Sequence, residues 1–402
     1  MSPPADPASP VAPADATAAG FLAALHPGST TLSPARDLVV GYDLEGRPLH
    51  WFDGGTTYKR SLASELFGRR TVGGARERWR VPAAAAAQRF EQALAVARAA
   101  EERLPELRVR GDAAALEARL ARILAWTPQR LAEERQRFAA VYRPVSILPP
   151  DQYHSVVLQA SFGCSWNRCT FCTFYQGRPF ALRPVEEFER HVEAVQRFLG
   201  AAAAGRAGVF LADGNALVLS NARLRPLLAA ATRAFPGRPV AGFVDVFGGE
   251  RKPARDWAEL RELGLARVAI GVETGHDPLL AHLNKPGSAA EAAAFVRLLK
   301  GAGLAVSLIF MVGVGGERFA AAHERDSLAL LERLELGADD IVYLSPFVTQ
   351  PGSAYAARAR LDGTAALAGA ALEEQYQRLA AGARRLAPAA RTALYHLDEF
   401  VY

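Results

Sequence analysis

SFGCSWNRCTFCTFYQGRPF, Ser161 to Phe180, contains every cysteine of a 402-residue chain. Cys164, Cys169 and Cys172 stand at spacing C-x4-C-x2-C on what reads as one loop, beginning where an apolar strand ends. Three cysteines this close rule out a disulfide framework and point to a local metal site. From such a loop three thiolates can converge on a single centre. Thiolates are ligands of iron–sulfur clusters and of zinc, but a structural zinc site takes four protein ligands. No fourth cysteine exists, and the nearest histidines, His154 and His191, lie before the strand and in the next helix. A three-thiolate site that leaves one iron open to a small chelating ligand therefore fits better than a closed zinc site, which stands as the alternative.

Outward from this loop the sequence repeats strand, loop, helix. Candidate strands are Ser155–Ala160, Gly208–Ala212, Val240–Val246, Ala266–Val272, Ala305–Val312 and Asp340–Pro346, with helical runs at about 184–198, 221–234, 255–263, 288–301 and 319–335. The strands are apolar throughout rather than alternating, the mark of a parallel sheet covered by helices. Ligands in such folds sit at the carboxyl ends of the strands.

The cysteine loop resembles that of the radical S-adenosylmethionine (SAM) superfamily, with a first gap of four residues where the family's usual gap holds three. The resemblance is strong over about 155–317 and implies a partial (β/α)6 TIM-like barrel, giving an α/β fold class. It implies that Cys164, Cys169 and Cys172 bind three irons of a [4Fe–4S] cluster whose fourth iron chelates the amino and carboxylate groups of SAM. Phe171 would shield the cluster on the adenine side. Asp213 and Asn215, at a strand end, would receive the SAM amino group, and Glu273 would reach its ribose or methionyl part. Gly313 and Gly315 would support adenine by backbone contacts. Asp245 and Arg251 would face substrate or SAM as catalytic candidates, while Tyr175, Arg178, Gln350 and Tyr355 are candidates near the substrate mouth. The turn Asn284-Lys285-Pro286-Gly287 could hold an anion, with a solvent-facing Lys285 as the default, and His276 reads as a helix cap or else a substrate contact.

The implied activity is reductive cleavage of SAM to a 5′-deoxyadenosyl radical that abstracts hydrogen from a small-molecule substrate, the electron coming from a flavodoxin or ferredoxin-type donor. Two alternatives stand beside it: an iron–sulfur sensor or electron carrier without catalysis, and a zinc-stabilised α/β enzyme. No further cysteines remain for an auxiliary cluster.

The rest of the chain is divided by composition. Residues 1–20, with five prolines in the first thirteen, read as a disordered leader without the basic and apolar regions of an export signal. Cytoplasmic location is then the default. Residues 21–150 read as a small hairpin around Asp43–Gly46 followed by helices at about 83–104, 112–125 and 128–141, so the N-terminal region is expected to be mainly helical. The barrel is expected over 151–360, and 361–402 as a helix and strand packed on its body. No stretch reads as a membrane span. The formal charge of +5 is spread along the chain and argues against nucleic acid, which calls for a concentrated patch or stripe.

Overall fold

The computed structural model describes residues 20–395 and 402. The proposed leader, apart from Gly20, and the tail residues 396–401 lie outside the described residues. Two compact units emerge. One comprises the chain up to Pro144 together with Ala194–Arg206 and Tyr402; the other comprises Val145–Glu193 and Ala207 onward.

The first unit corrects the expectation of a mainly helical N-terminal region. Seven strands precede its first helix: β1 Leu22–Leu25, β2 Ser29–Ala35, β3 Leu38–Asp43, β4 Pro48–Asp53, β5 Thr56–Arg60, β6 Leu66–Val72 and β7 Ala75–Arg80. They form an antiparallel meander, and β8 Arg108–Arg110 joins its far edge parallel to β1. The expected hairpin around Asp43–Gly46 is the pair β3 and β4; strands such as β1 and β5 stay hidden in the sequence because their burial alternates. In β5 the buried positions are Thr56, Tyr58 and Arg60, a period-two pattern with too few apolar residues to register as a strand.

The helix Ala83–Glu102 covers the inner face. Its alanines favour helix, and Phe90, Ala93, Leu94 and Ala97 repeat on one stripe and are buried. The Trp51 ring stacks with Tyr58 at 5.6 Å and meets Phe90 at 6.1 Å. Helices Leu116–Leu124 and Pro128–Val141 follow, the latter capped by Thr127, whose hydroxyl accepts from the Arg130 N–H. Arg47, 1% exposed, is the polar centre of this unit. Its guanidinium donates to Asp43 at 2.8 Å, to Glu134 at 2.9 Å and to the carbonyls of Phe198 and Leu199. These carbonyls tie the 194–206 segment into the unit.

The second unit is the expected parallel α/β body. Its main sheet runs β9 Val156–Gln159, then, beyond the small hairpin of β10 Ser161–Phe162 and β11 Ala181–Leu182, β12 Val209–Ala212, β13 Val240–Phe243, β14 Leu265–Glu273, β15 Ala305–Val312, β16 Ile341–Pro346 and β17 Arg391–Leu394. Every neighbouring pair in the main sheet is parallel and the spatial order follows the chain, with helices between successive strands. This is a partial (β/α) barrel. Residues 156–159, 209–212 and 240–243 are buried on both faces, which is why these strands read as continuous apolar runs.

The Arg47 network predicts that Arg47→Met, which leaves buried Asp43 with only Arg60 at 4.0 Å and buried Glu134 with only the exposed Arg137, lowers stability by about 3 kcal/mol. Urea unfolding followed by circular dichroism measures this; a loss below about 1 kcal/mol would show the network to be dispensable.

Candidate active site

A cavity of about 330 Å³ opens at the carboxyl ends of the strands in the second unit. Cys164, Cys169 and Cys172 line it together with Phe171, Asp245, Gly271, Glu273 and Lys285. Phe243, Ile309, Met311 and Phe347 supply apolar wall. The volume lies at the lower end of the range for small-molecule and cofactor sites.

Each residue in the four-residue gap of the cysteine loop is anchored or lies beside an anchor. Ser165 accepts from the Asn215 amide at 2.8 Å, and the Trp166 indole donates to the Asn284 carbonyl at 2.8 Å. Asn167, at φ +47°, donates to the Tyr175 carbonyl, while Asn284, at φ +52°, donates to the Arg168 carbonyl. The Thr170 N–H donates to the Leu283 carbonyl at 2.9 Å. The loop is thereby strapped to the turn at Leu283–Asn284. Asparagine at both positive-φ positions is the tolerated choice after glycine.

The next residue, Lys285, corrects the solvent-facing reading. Its side chain is 8% exposed, with Nζ 3.0 Å from Glu273 Oε1 and 3.4 Å from Asp245 Oδ1. Burial alone would favour the neutral amine, but Glu273 and Asp245 outweigh it and hold the ammonium above its ordinary range. Gly271 makes room: a Cβ there would meet Glu273 Oε1 at 2.3 Å and Lys285 Nζ at 3.1 Å. Glu273 itself sits at φ +64°, where the β14–β15 register slips between Gly271 and Glu273. Such a bulge re-aims a side chain.

Behind the bulge, the Thr274 hydroxyl meets His323 Nδ1 at 2.7 Å and His323 Nε2 lies 2.9 Å from the Met311 carbonyl. Burial pushes His323 down to about 4, so the ring is neutral at pH 7. Nε2–H then donates to the carbonyl and Nδ1 accepts from Thr274.

Burial pushes the Cys169 thiol up to about 12 and Cys172 to about 11, and raises Cys164 as well. All three are thiols at neutral pH unless a positive partner displaces the proton. Among the described residues, no three His, Cys, Asp or Glu side chains close on one point as ligands of a single metal ion.

Asn215 is spent internally. Its amide donates to Asp245 at 2.9 Å as well as to Ser165, and its carbonyl accepts from the Asp245 N–H at 3.0 Å. Asp213 sits beside the lining residue Gly214, buried, with Oδ1 lacking a partner among the described residues. Burial pushes its carboxyl up to about 6.

Tyr175 and Gln350 line the cavity, whereas Arg178 donates to the Ser146 hydroxyl. Arg251 is exposed and outside the lining. Gly313 and Gly315 are also outside it: their N–H groups donate to the Gln375 side chain at 2.7 Å and the Tyr355 hydroxyl at 2.8 Å. His276 is the N-cap residue of the helix Asp277–His282, as expected, but it caps through its backbone carbonyl, while its ring pairs with Asp326 at 2.6 Å. Sequence reasoning offered the turn Asn284-Lys285-Pro286-Gly287, which follows the helix Asp277–His282, as a possible anion holder but not as the anchor of Glu273 and of the cysteine loop, and it missed His323.

Residues 158–324 match the Radical SAM superfamily. No curated protein matches the chain at a significant level. Among solved structures, the chain is similar to coproporphyrinogen III oxidase (HemN) from Escherichia coli at 16% identity, over 62% of this chain and 55% of that one, with a TM-score of 0.43. It is similar to methylornithine synthase (PylB) at 18% identity, over 60% and 72%, with a TM-score of 0.42. It is also similar to the cobalamin-dependent S-adenosylmethionine radical enzyme OxsB at 16% identity and a TM-score of 0.38; it covers only 30% of that protein's length, with 52% of its own. No helix among the described residues is long and apolar enough to cross a membrane. The likeness to the radical SAM superfamily is thus one of the domain formed by residues 158–324, less than half of the chain.

Proposed function

We propose that this chain is a radical SAM enzyme in which Cys164, Cys169 and Cys172 hold a [4Fe–4S] cluster and the adjoining cavity receives SAM. The observation that carries this reading is the meeting of all three cysteines with a buried lysine and two carboxylates in one cofactor-sized cavity. The donor set fits the group. A cluster takes one thiolate per iron at separate corners and so asks less convergence of the three sulfurs than a single zinc ion does. Burial keeps the three thiols protonated in the ligand-free protein, so iron loading releases their protons and is favoured by higher pH.

The chemistry that cluster and SAM supply when bound is one-electron cleavage of the sulfonium to methionine and a 5′-deoxyadenosyl radical able to take hydrogen from a carbon. The chain's own work is binding and exclusion. Lys285 has three donors and two carboxylate partners, leaving one donor for the SAM carboxylate. Asp213, whose buried oxygen lacks a partner, is assigned the SAM ammonium. Glu273 and Asp245 keep Lys285 charged and in place. Asn215 fixes Asp245 and the cysteine loop rather than touching ligand. Phe171 and the apolar wall keep water from the reacting centre. A flavodoxin or ferredoxin-type donor supplies the electron, and a small molecule is the substrate.

Anaerobic reconstitution should give about four irons and four sulfides per chain, and Cys164→Ala, Cys169→Ala and Cys172→Ala should each lose most of them. With dithionite and SAM the loaded protein should release 5′-deoxyadenosine. Stoichiometric zinc without iron uptake would favour the zinc-stabilised alternative. A loaded, reducible cluster that binds no SAM would favour the sensor or carrier.

Asp213 gives a second prediction with its sign fixed by burial. Its folded pKa of about 6 lies above the ordinary 3.8, so the ionised carboxylate costs the fold stability above about pH 6, and the cost vanishes below about pH 4. Asp213→Asn should therefore raise the stability of the ligand-free protein by about 2–3 kcal/mol at pH 7 and leave it nearly unchanged at pH 4. The same substitution should weaken SAM binding. Denaturant unfolding at both pH values and calorimetry with SAM test this; equal stability at pH 7 with unchanged affinity would remove Asp213 from the role.

A further inference from the structure

Tyr175 is 5% exposed and lines the cavity that holds the cysteines. Its ring has a packing role. It meets Phe174 edge-on at 6.4 Å and lies over Gly214, where a Cβ would come within 2.5 Å of the ring and 2.8 Å of the hydroxyl oxygen. Packing asks only for the ring, and phenylalanine would supply that. The hydroxyl is a separate matter, because it has no hydrogen-bond partner among the described residues. Other buried tyrosines in the chain satisfy theirs: Tyr42 donates to the Ala93 carbonyl, Tyr343 to Asp151, Tyr355 to the Thr364 carbonyl and Tyr395 to the Leu148 carbonyl. A buried hydroxyl left unpaired costs stability, and the loss of a single atom would remove the cost.

Asp213, next to Gly214 in the chain, poses the same problem. Its Oδ1 is buried and also without a hydrogen-bond partner among the described residues. Burial raises its carboxyl, while the Gly163 backbone, Arg178 and the Tyr175 hydroxyl pull it back. The phenol is therefore a near neighbour of the carboxylate, yet no hydrogen bond joins the two. Two polar atoms on one strand end, both buried and both unpaired, call for one group that satisfies them together.

That group must donate at least two hydrogens from one point. A carboxylate oxygen only accepts, and the phenol oxygen can accept on one side while offering its own hydrogen on the other. An ammonium meets both demands: it donates to Asp213 Oδ1 and to the phenol oxygen, and the phenol hydrogen turns to the carboxylate. A ligand carboxylate or phosphate would face Asp213 as a like charge, and an apolar group would leave both atoms unpaired.

We propose that Tyr175 is a second acceptor for the ligand's ammonium, so that Asp213 and Tyr175 together select SAM by its amino group. The inference rests on the reading of this cavity as a SAM site and deepens it. Tyr175, a candidate near the substrate mouth on sequence, thereby becomes a cofactor-binding residue whose hydroxyl serves recognition rather than folding.

The test is calorimetry of the anaerobically loaded protein with SAM and with its desamino analogue, in which hydrogen replaces the amino group, alongside iron content and thermal unfolding without SAM. The parent should bind the analogue more weakly than SAM. Tyr175→Phe should weaken SAM binding about tenfold or more, the range for a lost hydrogen bond to a charged group, and leave affinity for the analogue unchanged. The same variant should load iron as the parent does and melt at or above the parent's temperature, because the hydroxyl it loses has no partner in the fold. Affinity falls while stability holds or rises, a combination that a structural role for the hydroxyl does not produce. A parent that binds no SAM would overturn the reading of the site and this proposal with it. If the parent binds SAM, the proposal alone falls when Tyr175→Phe keeps its SAM affinity, loses equal affinity for SAM and the analogue, loads less iron or melts lower.

Discussion

A lysine ammonium buried between two carboxylates is the interaction on which the candidate site depends. Removing three charges from water is expensive, and the attraction among them repays the cost only in good geometry. The chain supplies that geometry from two strand ends and the turn after the helix Asp277–His282. Asp245 follows β13 and is fixed by Asn215, Glu273 is turned inward by the bulge in β14, and Lys285 arrives on the turn beyond it. Gly271 is the floor that this packing requires. Without Lys285, two carboxylates would face each other beside the cysteines, and the turn that carries Leu283 and Asn284 would lose its inner anchor. That same turn straps the cysteine loop.

The ligand-free site carries conflicts complementary to what it is proposed to bind. One carboxylate has a buried oxygen without a hydrogen-bond partner among the described residues, and the cavity wall is largely apolar. An ammonium relieves the first and a nucleoside the second. Folded proteins tolerate such local conflicts chiefly at functional sites.

The barrel was legible because its strands are buried on both faces and therefore read as unbroken apolar runs; Ala305–Val312 has the same bounds in sequence and structure. The cysteine loop was legible because its chemistry is local in sequence. Other features depend on partners far away in the chain. Beyond the β3–β4 hairpin, the meander escaped because strands such as β5, TTYKR, bury alternate residues that are mostly polar. Lys285 looked solvent-facing because its carboxylates lie 12 and 40 positions away. Gly313 and Gly315 carried the right composition for a ligand cradle, but Gln375 and Tyr355, distant in sequence, occupy their N–H groups. Composition gives a loop its capacity to bind; the remainder of the fold determines whether that capacity is already used.

The central claim is that the three cysteines hold a cluster with one iron open to SAM. Low-temperature electron paramagnetic resonance of the anaerobically loaded, dithionite-reduced protein, recorded with and without SAM, tests it most directly. The account predicts the signal of a reduced [4Fe–4S] cluster whose g-values shift when SAM is added. A reduced-cluster signal that SAM leaves unchanged, or no iron–sulfur signal from fully loaded protein, would contradict it.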